Sequence, residues 1–293
     1  MSCRSRRVVL PNGLGSHFLE WGFEEPALDH TVLLLHGFLE NAWAWESTIE
    51  AGLAGRFHLI SADFRGHGDS DRVGLGGEYH LSDYLADLHD LIPLVARKRA
   101  SIVGHSLGGA IAGLYAGACP EKIFRLALLE GTGLPQPGGG PARATRWLRE
   151  RERVRARPQR SYPGVAEAAA RLRETDPSLR PELALRLAEK GTAVGLDGLR
   201  RFKHDPRLTA GRPSAFDPEQ ARLFWANVVC PVLILEGERS EIRLSEEEGR
   251  RRWSNFPSWR HVVLKDAGHM MQRDQPEAVA AVLREFLSEG SEA

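Results

Sequence analysis

Residues 101–115 read SIVGHSLGGAIAGLY and contain the most specific sequence motif of the chain. A short β-branched run is followed by Gly104-His105-Ser106-Leu107-Gly108 and then by small and apolar residues that suit a helix. The G-x-S-x-G pattern between a strand and a helix is a sharp turn whose strained centre needs small neighbours, here Gly104 and Gly108. The pattern predicts that Ser106 is a nucleophile with an accessible hydroxyl. A strand-to-helix turn with an incidental serine is the alternative.

Length and composition limit the class of protein. A chain of 293 residues fits one α/β domain with an insertion, or two domains at most. Lysine plus arginine equals aspartate plus glutamate at 39 each, so we expect no nucleic-acid and no membrane partner. The N-terminus lacks the apolar core of a signal peptide, and no stretch has membrane-spanning length. Three scattered cysteines predict neither a disulfide framework nor a metal site. We therefore expect a cytoplasmic protein, and the oligomeric state is left open.

Short apolar runs alternate with amphipathic segments, which is typical of a mostly parallel sheet with crossover helices. An antiparallel hairpin is predicted first, from residues 7–10 and 17–21. Later strands are predicted at residues 31–35, 57–61, 101–103, 124–129, 231–235 and 261–264. Helices are predicted at residues 43–53, 81–97, 107–118, 245–253 and 276–287. The chain is thus predicted to be an α/β protein.

The alternation stops between residues 132 and 222, where prolines divide a stretch rich in alanine, leucine, arginine and glutamate. We predict a helical cap here, inserted between core segments 1–131 and 223–293. Residues 143–160 contain eight arginines and two glutamates. A solvated helical face accounts for this charge run, and attraction of an anionic acyl group is the alternative. The aromatic residues of this region contact substrate or pack the cap on the core: Trp147, Phe202, Phe216 and Trp225.

A nucleophilic serine needs a base, and His269 is the best placed of the 11 histidines. It follows the last predicted strand, and the carboxyl ends of parallel strands share one edge of a sheet with the serine turn. An imidazole with a pKa near neutrality can accept the Ser106 proton and return it to the leaving group. We expect His36, His67 and His105 to be hydrogen-bonded structural residues instead.

Acyl transfer also needs two donors for the oxyanion. The backbone N–H of Leu107, directly after the serine, is the first candidate. The loop after predicted strand 31–35 supplies the second, and its sequence His36-Gly37-Phe38 makes the N–H of Phe38 our candidate. An ordinary glycine turn is the alternative for this loop.

Four motifs in order then connect the chain with a known family. They are His36-Gly37, residues 63–70 (DFRGHGDS), residues 104–109 (GHSLGG), and Ala267-Gly268-His269 followed by residues 275–277 (QPE). With these motifs the chain resembles the α/β-hydrolase superfamily from end to end. Residues 199–207 and the cap placement resemble its serine hydrolase-like subgroup more weakly. The resemblance implies a mostly parallel sheet of about eight strands, a helical lid after the sixth strand and no cofactor.

The chain departs from the family pattern at the third member of the triad. That acid usually follows the seventh strand, but Ser240 stands at the expected position, and a hydroxyl cannot stabilise an imidazolium. Glu130, at the end of the sixth strand, is our preferred acid, because some relatives in the superfamily carry theirs there. Glu241 is the alternative acid. Glu236, Glu238 or the absence of an acid are the remaining possibilities.

These assignments predict a serine hydrolase, most simply a carboxylesterase for a small or medium acyl ester. Hydrolysis of a carbon–carbon bond, thioester, amide or lactone uses the same groups. Dehalogenase and epoxide-hydrolase chemistry is disfavoured, because such relatives normally carry an aspartate where Ser106 stands. The missing acid after the seventh strand keeps a second class open, a non-catalytic ligand-binding protein with the hydrolase fold.

Overall fold

A computed structural model of the chain describes residues 2–133, 140–214 and 216–289. Its centre is an eight-stranded sheet with the strand order β1-β2-β4-β3-β5-β6-β9-β10. The strands are β1 (Cys3–Val9), β2 (Gly15–Trp21), β3 (His30–Leu35), β4 (His58–Ala62), β5 (Arg99–His105), β6 (Leu126–Leu129), β9 (Val232–Gly237) and β10 (Trp259–Leu264). Only the β1–β2 and β2–β4 pairs of this sheet are antiparallel. The predicted α/β class and mostly parallel eight-stranded sheet are confirmed.

Helices cover both faces of the sheet, and further helices lie in the segment between β6 and β9. The helices are α1 (Glu46–Thr48), α2 (Leu81–Val95), α3 (Leu107–Ala118), α4 (Gly140–Ala156), α5 (Val165–Thr175), α6 (Pro181–Gly191), α7 (Pro218–Trp225), α8 (Glu246–Trp253), α9 (Met271–Asp274) and α10 (Pro276–Ser288). The observed bounds of α3 equal the predicted ones. The single helix predicted at residues 43–53 is wrong, because a 3₁₀ turn, α1 and a π turn divide this segment. Gly52 has non-helical backbone angles inside the last of these turns.

Side chains of β3 show how the sheet is buried on both sides. Leu33 and Leu35 belong to a core cluster that includes residues of α2 and α3. Val32 and Leu34 belong to a second cluster, with residues of α10. Successive strand side chains point to opposite faces, so a continuous apolar run such as residues 32–35 suits a strand with helices on both faces.

The segment between β6 and β9, which we call the cap, carries α4 to α7. It has a small buried cluster of its own, with Tyr162, Leu179 and alanines of α5 and α6. A two-stranded antiparallel sheet, β7 (Thr192–Val194) and β8 (Arg200–Phe202), also lies here. The expectation of a strand-free stretch was therefore wrong, since strands of three residues are too short to show an alternating pattern. The predicted boundary at residue 222 falls inside α7.

Helix α7 packs on the core rather than on the rest of the cap. Trp225 is buried in the same cluster as residues of α3, and the Asn227 side chain donates to the carbonyl of Gly117 at 2.7 Å. Across the described ranges no helix is long and apolar enough to cross a membrane.

Candidate active site

Ser106 lies in the turn between β5 and α3, with φ 52° and ψ −113°. A Cβ atom on Gly104 would lie 2.5 Å from the backbone of Gly108, and one on Gly108 would collide with the backbone of Leu35. Both positions therefore exclude any larger residue, as predicted for a turn that holds a serine in a strained conformation. The Ser106 residue is partly exposed.

Backbone strain is concentrated in the loops around this turn. In the described part of the chain, the non-glycine residues with positive φ are Leu39 (62°), Ser106 (52°), Glu130 (48°) and Asp266 (58°). They follow β3, β5, β6 and β10 respectively, at the carboxyl ends of parallel strands. Such conformations cost about 1–3 kcal/mol each and cluster at functional sites. The four loops therefore form one candidate site at a single edge of the sheet.

Glu130 and His269 are joined across this edge. His269 Nδ1 lies 2.6 Å from Glu130 Oε2, which also accepts a hydrogen bond from Ser240 Oγ at 2.7 Å. The backbone N–H of Gly237 donates to Glu130 Oε1 at 3.0 Å. Burial alone would raise the pKa of Glu130, but the hydrogen bonds from His269, Ser240 and Gly237 hold it below its ordinary value. The carboxylate accepts from Nδ1–H, which leaves Nε2 as the ring nitrogen that can act as a base.

The other carboxylates considered from the sequence lie elsewhere. Glu241 and Glu238 are exposed. Glu236 is buried, but its Oε2 lies 3.1 Å from His261 Nε2. In the described residues His269 hydrogen-bonds to none of the three. Ser240, at the position usual for the acid, supplies a hydroxyl to the carboxylate of Glu130 instead.

No hydrogen bond joins Ser106 to His269 in the described residues. The His269 side chain is 28% exposed to solvent, whereas the Glu130 side chain is 2% exposed. Hydrogen bonds between a nucleophile and its base are often long or poorly aligned before substrate binds, so this geometry does not argue against the pair.

The two predicted oxyanion donors remain available. Within the described ranges, neither the Phe38 N–H nor the Leu107 N–H donates a hydrogen bond. Leu107 is the first residue of α3, so the positive end of the helix dipole adds to its N–H. The loop that carries Phe38 is fixed beside it, because Glu40 Oε2 accepts the N–H of Gly37 at 2.9 Å.

A second polar network, which the sequence did not predict, contacts His269. His105 Nε2 donates to the carbonyl of His269 at 2.9 Å, and the two ring centres are 4.6 Å apart. His105 Nδ1 lies 3.1 Å from Glu40 Oε2, and Gln272 lies within 3.5 Å of both residues. Burial would raise the pKa of Glu40, but the hydrogen bond and charge of His105 lower it to about 2. The network links the Phe38 loop, the serine turn and His269.

His36 and His67 have backbone partners in the interior. His36 Nε2 accepts the N–H of Phe64 at 3.1 Å, while Nδ1 donates to the carbonyl of Gly37 at 2.7 Å. His67 Nδ1 lies 3.1 Å from the carbonyl of Arg65. Burial lowers the pKa of both imidazoles. These contacts agree with the prediction that His36 and His67 are hydrogen-bonded structural residues.

One group of described side chains has the spacing of a metal site. Ligand atoms of His17, Asp63 and Asp69 lie within 4.8 Å of one another. His17 Nδ1 is already 2.6 Å from Asp63, which also accepts the Ala42 N–H at 2.6 Å. Lys203 Nζ donates to Asp69 at 2.7 Å. Protein donors thus engage the carboxylates, and the group orders the loops around Asp63.

A cavity of about 750 Å³ lies between the core and the cap. Phe38, Leu39 and Met270 contribute its core wall, next to the predicted oxyanion loop and His269. Of the cap aromatic residues considered from the sequence, Phe202 lines this cavity. Trp225 is instead buried against Phe256, with ring centres 5.4 Å apart. The cavity has the size of a small-molecule site.

Comparisons with known proteins agree with this architecture. A sequence model described as the alpha/beta hydrolase family matches residues 32–282. A serine hydrolase-like protein of Dictyostelium discoideum is 24% identical over 284 residues, which cover 92% of this chain and 77% of that protein. Epoxide hydrolase A of Mycobacterium tuberculosis is 26% identical over 324 residues and 98% of both chains.

Solved structures give a similar result. The thioesterase domain from the curacin biosynthetic pathway superposes with a TM-score of 0.81 at 26% identity, over 97% of this chain and 100% of that one. The residues matched by the family model run from β3 into α10. All four loops of the candidate site lie inside this range.

Proposed function

The chain belongs to the alpha/beta hydrolase family, and we propose that it hydrolyses a small or medium carboxylic ester through an acyl-enzyme on Ser106. The observation that carries the proposal is the buried Glu130 carboxylate, 2.6 Å from His269 Nδ1, at the same sheet edge as the strained serine turn. In the proposed reaction His269 is the base, with its ring orientation fixed by Glu130, and Ser106 is the nucleophile presented by the strained turn.

In the first half of the reaction, Ser106 Oγ attacks the ester carbonyl carbon. His269 Nε2 takes the hydroxyl proton, and the carbonyl oxygen gains the negative charge. The N–H groups of Phe38 and Leu107 stabilise that oxyanion, and Glu130 stabilises the imidazolium. Collapse of the tetrahedral intermediate breaks the bond to the leaving oxygen. His269 returns its proton to the departing alcohol, and the acyl group remains on Ser106.

The second half repeats these steps with water. His269 removes a proton from the water as its oxygen attacks the acyl carbon. The same two N–H groups hold the second oxyanion. The bond to Ser106 then breaks, Oγ recovers its proton from the imidazolium, and the carboxylic acid leaves. One ester and one water thus give one acid and one alcohol, with the protein regenerated.

Chemistry on epoxides does not fit a serine nucleophile. Opening of an epoxide by Ser106 would form an ether, which has no carbonyl carbon for water to attack. A carboxylate nucleophile would form an ester, which water can cleave. The similarity to epoxide hydrolase A therefore supports the fold more than that activity.

A thioester is the second candidate substrate. It has the same acyl carbon and would form the same acyl-enzyme, with a thiol as leaving group. The structural similarity to a thioesterase domain favours it over the carbon–carbon and lactone alternatives. Parallel assays of an ester and a thioester with one common acyl group would decide between them.

Labelling with a fluorophosphonate tests the reaction class. We expect the wild-type chain to be labelled and Ser106→Ala to be unlabelled. Ser258→Ala is the matched control, because Ser258 is exposed and precedes β10, at the opposite end of that strand from the loop of Asp266. Hydrolysis of p-nitrophenyl esters is measured in parallel. A folded wild-type chain that neither reacts with the probe nor cleaves any ester would support the ligand-binding class instead.

A further inference from the structure

The cavity beside the candidate site has a local excess of positive charge. Lysine and arginine balance aspartate and glutamate over the whole chain, but the described cavity wall has two acids, Glu40 and Glu150, against six cations. The cations are Arg153, Arg157, Arg160, Arg171, Lys203 and Arg273. The excess is therefore a property of this cavity and not of the composition.

Most of these cations already have an acidic partner. Arg153 pairs with Glu150 at 2.5 Å and Arg171 with Glu174 at 2.9 Å. Lys203 pairs with Asp69 at 2.7 Å, and Arg273 pairs with Asp176. Their charges are compensated by the protein, so they need no ligand to balance them.

Two arginines of the cap are not compensated by an acidic side chain in this way. Among the described residues, Arg157 has no acidic side chain within 4.0 Å. Arg160 approaches Glu174 only at 4.0 Å, and Glu174 is shared with Arg171. The Arg160 guanidinium instead lies over the Tyr162 ring, 5.4 Å from its centre. Both side chains are exposed and line the cavity.

Apolar side chains line the same cavity, among them Leu172, Leu187 and Phe202. A wall of this kind suits a hydrocarbon chain. A guanidinium presents paired donors that match a carboxylate. The wall therefore combines a surface for an apolar chain with two arginines available to a charged end.

We propose that the substrate is an anionic ester, whose acyl chain ends in a carboxylate held by Arg157 and Arg160. This inference rests on the proposed function and adds the substrate class. The ester carbonyl lies at Ser106, the hydrocarbon chain follows the apolar wall, and the carboxylate lies at the cap. Uncharged esters of equal length lose the contact with the two arginines and react more slowly.

The test compares p-nitrophenyl hydrogen adipate with p-nitrophenyl heptanoate, two esters of similar length that differ in terminal charge. We expect kcat/KM of the wild type to favour the adipate by about tenfold or more, as for a charge-assisted hydrogen bond. In Arg157→Gln/Arg160→Gln this preference falls about tenfold, while kcat/KM for the heptanoate is retained. Added salt lowers the wild-type preference, because mobile ions screen exposed charges.

Arg155→Gln is the matched control, since Arg155 is exposed on α4 and does not line the cavity. Equal kcat/KM of the wild type for the two esters would overturn the inference. So would a loss of preference in Arg155→Gln as large as that in Arg157→Gln/Arg160→Gln. Binding of adipate to Ser106→Ala, measured by calorimetry, separates it from the proposed function. If adipate binds Ser106→Ala in a way that depends on Arg157 and Arg160 but the wild type cleaves no ester, the anion site is supported and the esterase is refuted. If the wild type cleaves esters but adipate does not bind in this way, the esterase is supported and the anion site is refuted.

Discussion

Replacement of Glu130 by glutamine tests the assignment of the acid. The substitution keeps the size of the side chain and removes its charge. The Gly237 N–H can still donate to the remaining oxygen, while the Ser240 hydroxyl can accept from the new amide nitrogen instead of donating. His269 then faces an amide that can donate as well as accept. The imidazolium that forms during each half-reaction loses its counter-charge, and the ring loses its reason to keep the proton on Nδ1.

The magnitude follows from the observed geometry. A hydrogen bond of 2.6 Å between Nδ1 and Oε2 puts the two charge centres roughly 4 Å apart, where an effective dielectric constant near 20 gives about 4 kcal/mol. The Glu130 side chain is 2% exposed, so water screens the pair little. Since 1.4 kcal/mol is tenfold in rate, we expect kcat to fall by about three orders of magnitude. KM changes little, because the imidazolium is absent from the ground state.

The assay is hydrolysis of a p-nitrophenyl ester at neutral pH, with fluorophosphonate labelling as a second readout. Glu241→Gln is the control of equal chemistry, because Glu241 is exposed and we expect it to keep wild-type kcat. Thermal unfolding of both variants establishes that they are folded. Near-wild-type kcat in Glu130→Gln, together with a loss of orders of magnitude in Glu241→Gln, would refute our reasoning.

Three further predictions test the surroundings. In the Glu130→Gln background, Ser240→Asp introduces a carboxylate next to the vacated charge, and we expect at least about tenfold of the lost kcat to return; no gain over the single variant would contradict this. In Gly109→Ala, the new Cβ would lie 2.5 Å from Gly131 Cα, so we expect a loss of about 3 kcal/mol in unfolding free energy; denaturant unfolding at wild-type stability would refute it. Burial would raise the pKa of Glu20, but hydrogen bonds from two arginines and a histidine lower it to about 2. The stability that ionised Glu20 contributes is therefore present above pH 4.5 and lost as pH falls towards 2. Glu20→Gln should lower the free energy of unfolding by roughly 2 kcal/mol at pH 7, and chemical unfolding should show that this loss declines as pH falls from 4.5 towards 2. A loss that does not depend on pH would count against the ion pairs.

Much of the fold could be predicted because its signals are local. Strand β3 contains a continuous apolar run at residues 32–35. Helix α3 directly follows a turn that needs glycine at Gly104 and Gly108, and its observed ends match the prediction. Strands β7 and β8 could not be predicted, because three residues carry no periodicity. The broken helix at residues 42–53 was also missed, since its apolar spacing is that of an ordinary helix.

The candidate site also has residues that could be predicted from the sequence and residues that could not. Glu130 could be proposed because it ends the sixth predicted strand, where some relatives in the superfamily carry their acid. The contact of Glu40 with His105 spans 65 positions, and that of His105 with Gln272 spans 167. Nothing in the local sequence joins such residues, because the fold alone brings them together. The same holds for the cavity wall, where arginines with and without acidic partners look alike in the sequence.

The division between core and cap has a consequence for how this protein can evolve. Residues proposed for the reaction lie on loops of the central sheet, whereas Arg157 and Arg160 belong to a segment whose own buried cluster includes Tyr162. Substitutions at the cap wall therefore do not alter the backbone that carries Ser106. A lineage can therefore exchange one substrate for another by drift in the cap while the reaction centre is inherited unchanged. Combinatorial libraries restricted to the cap wall would yield altered selectivity with few losses of folding.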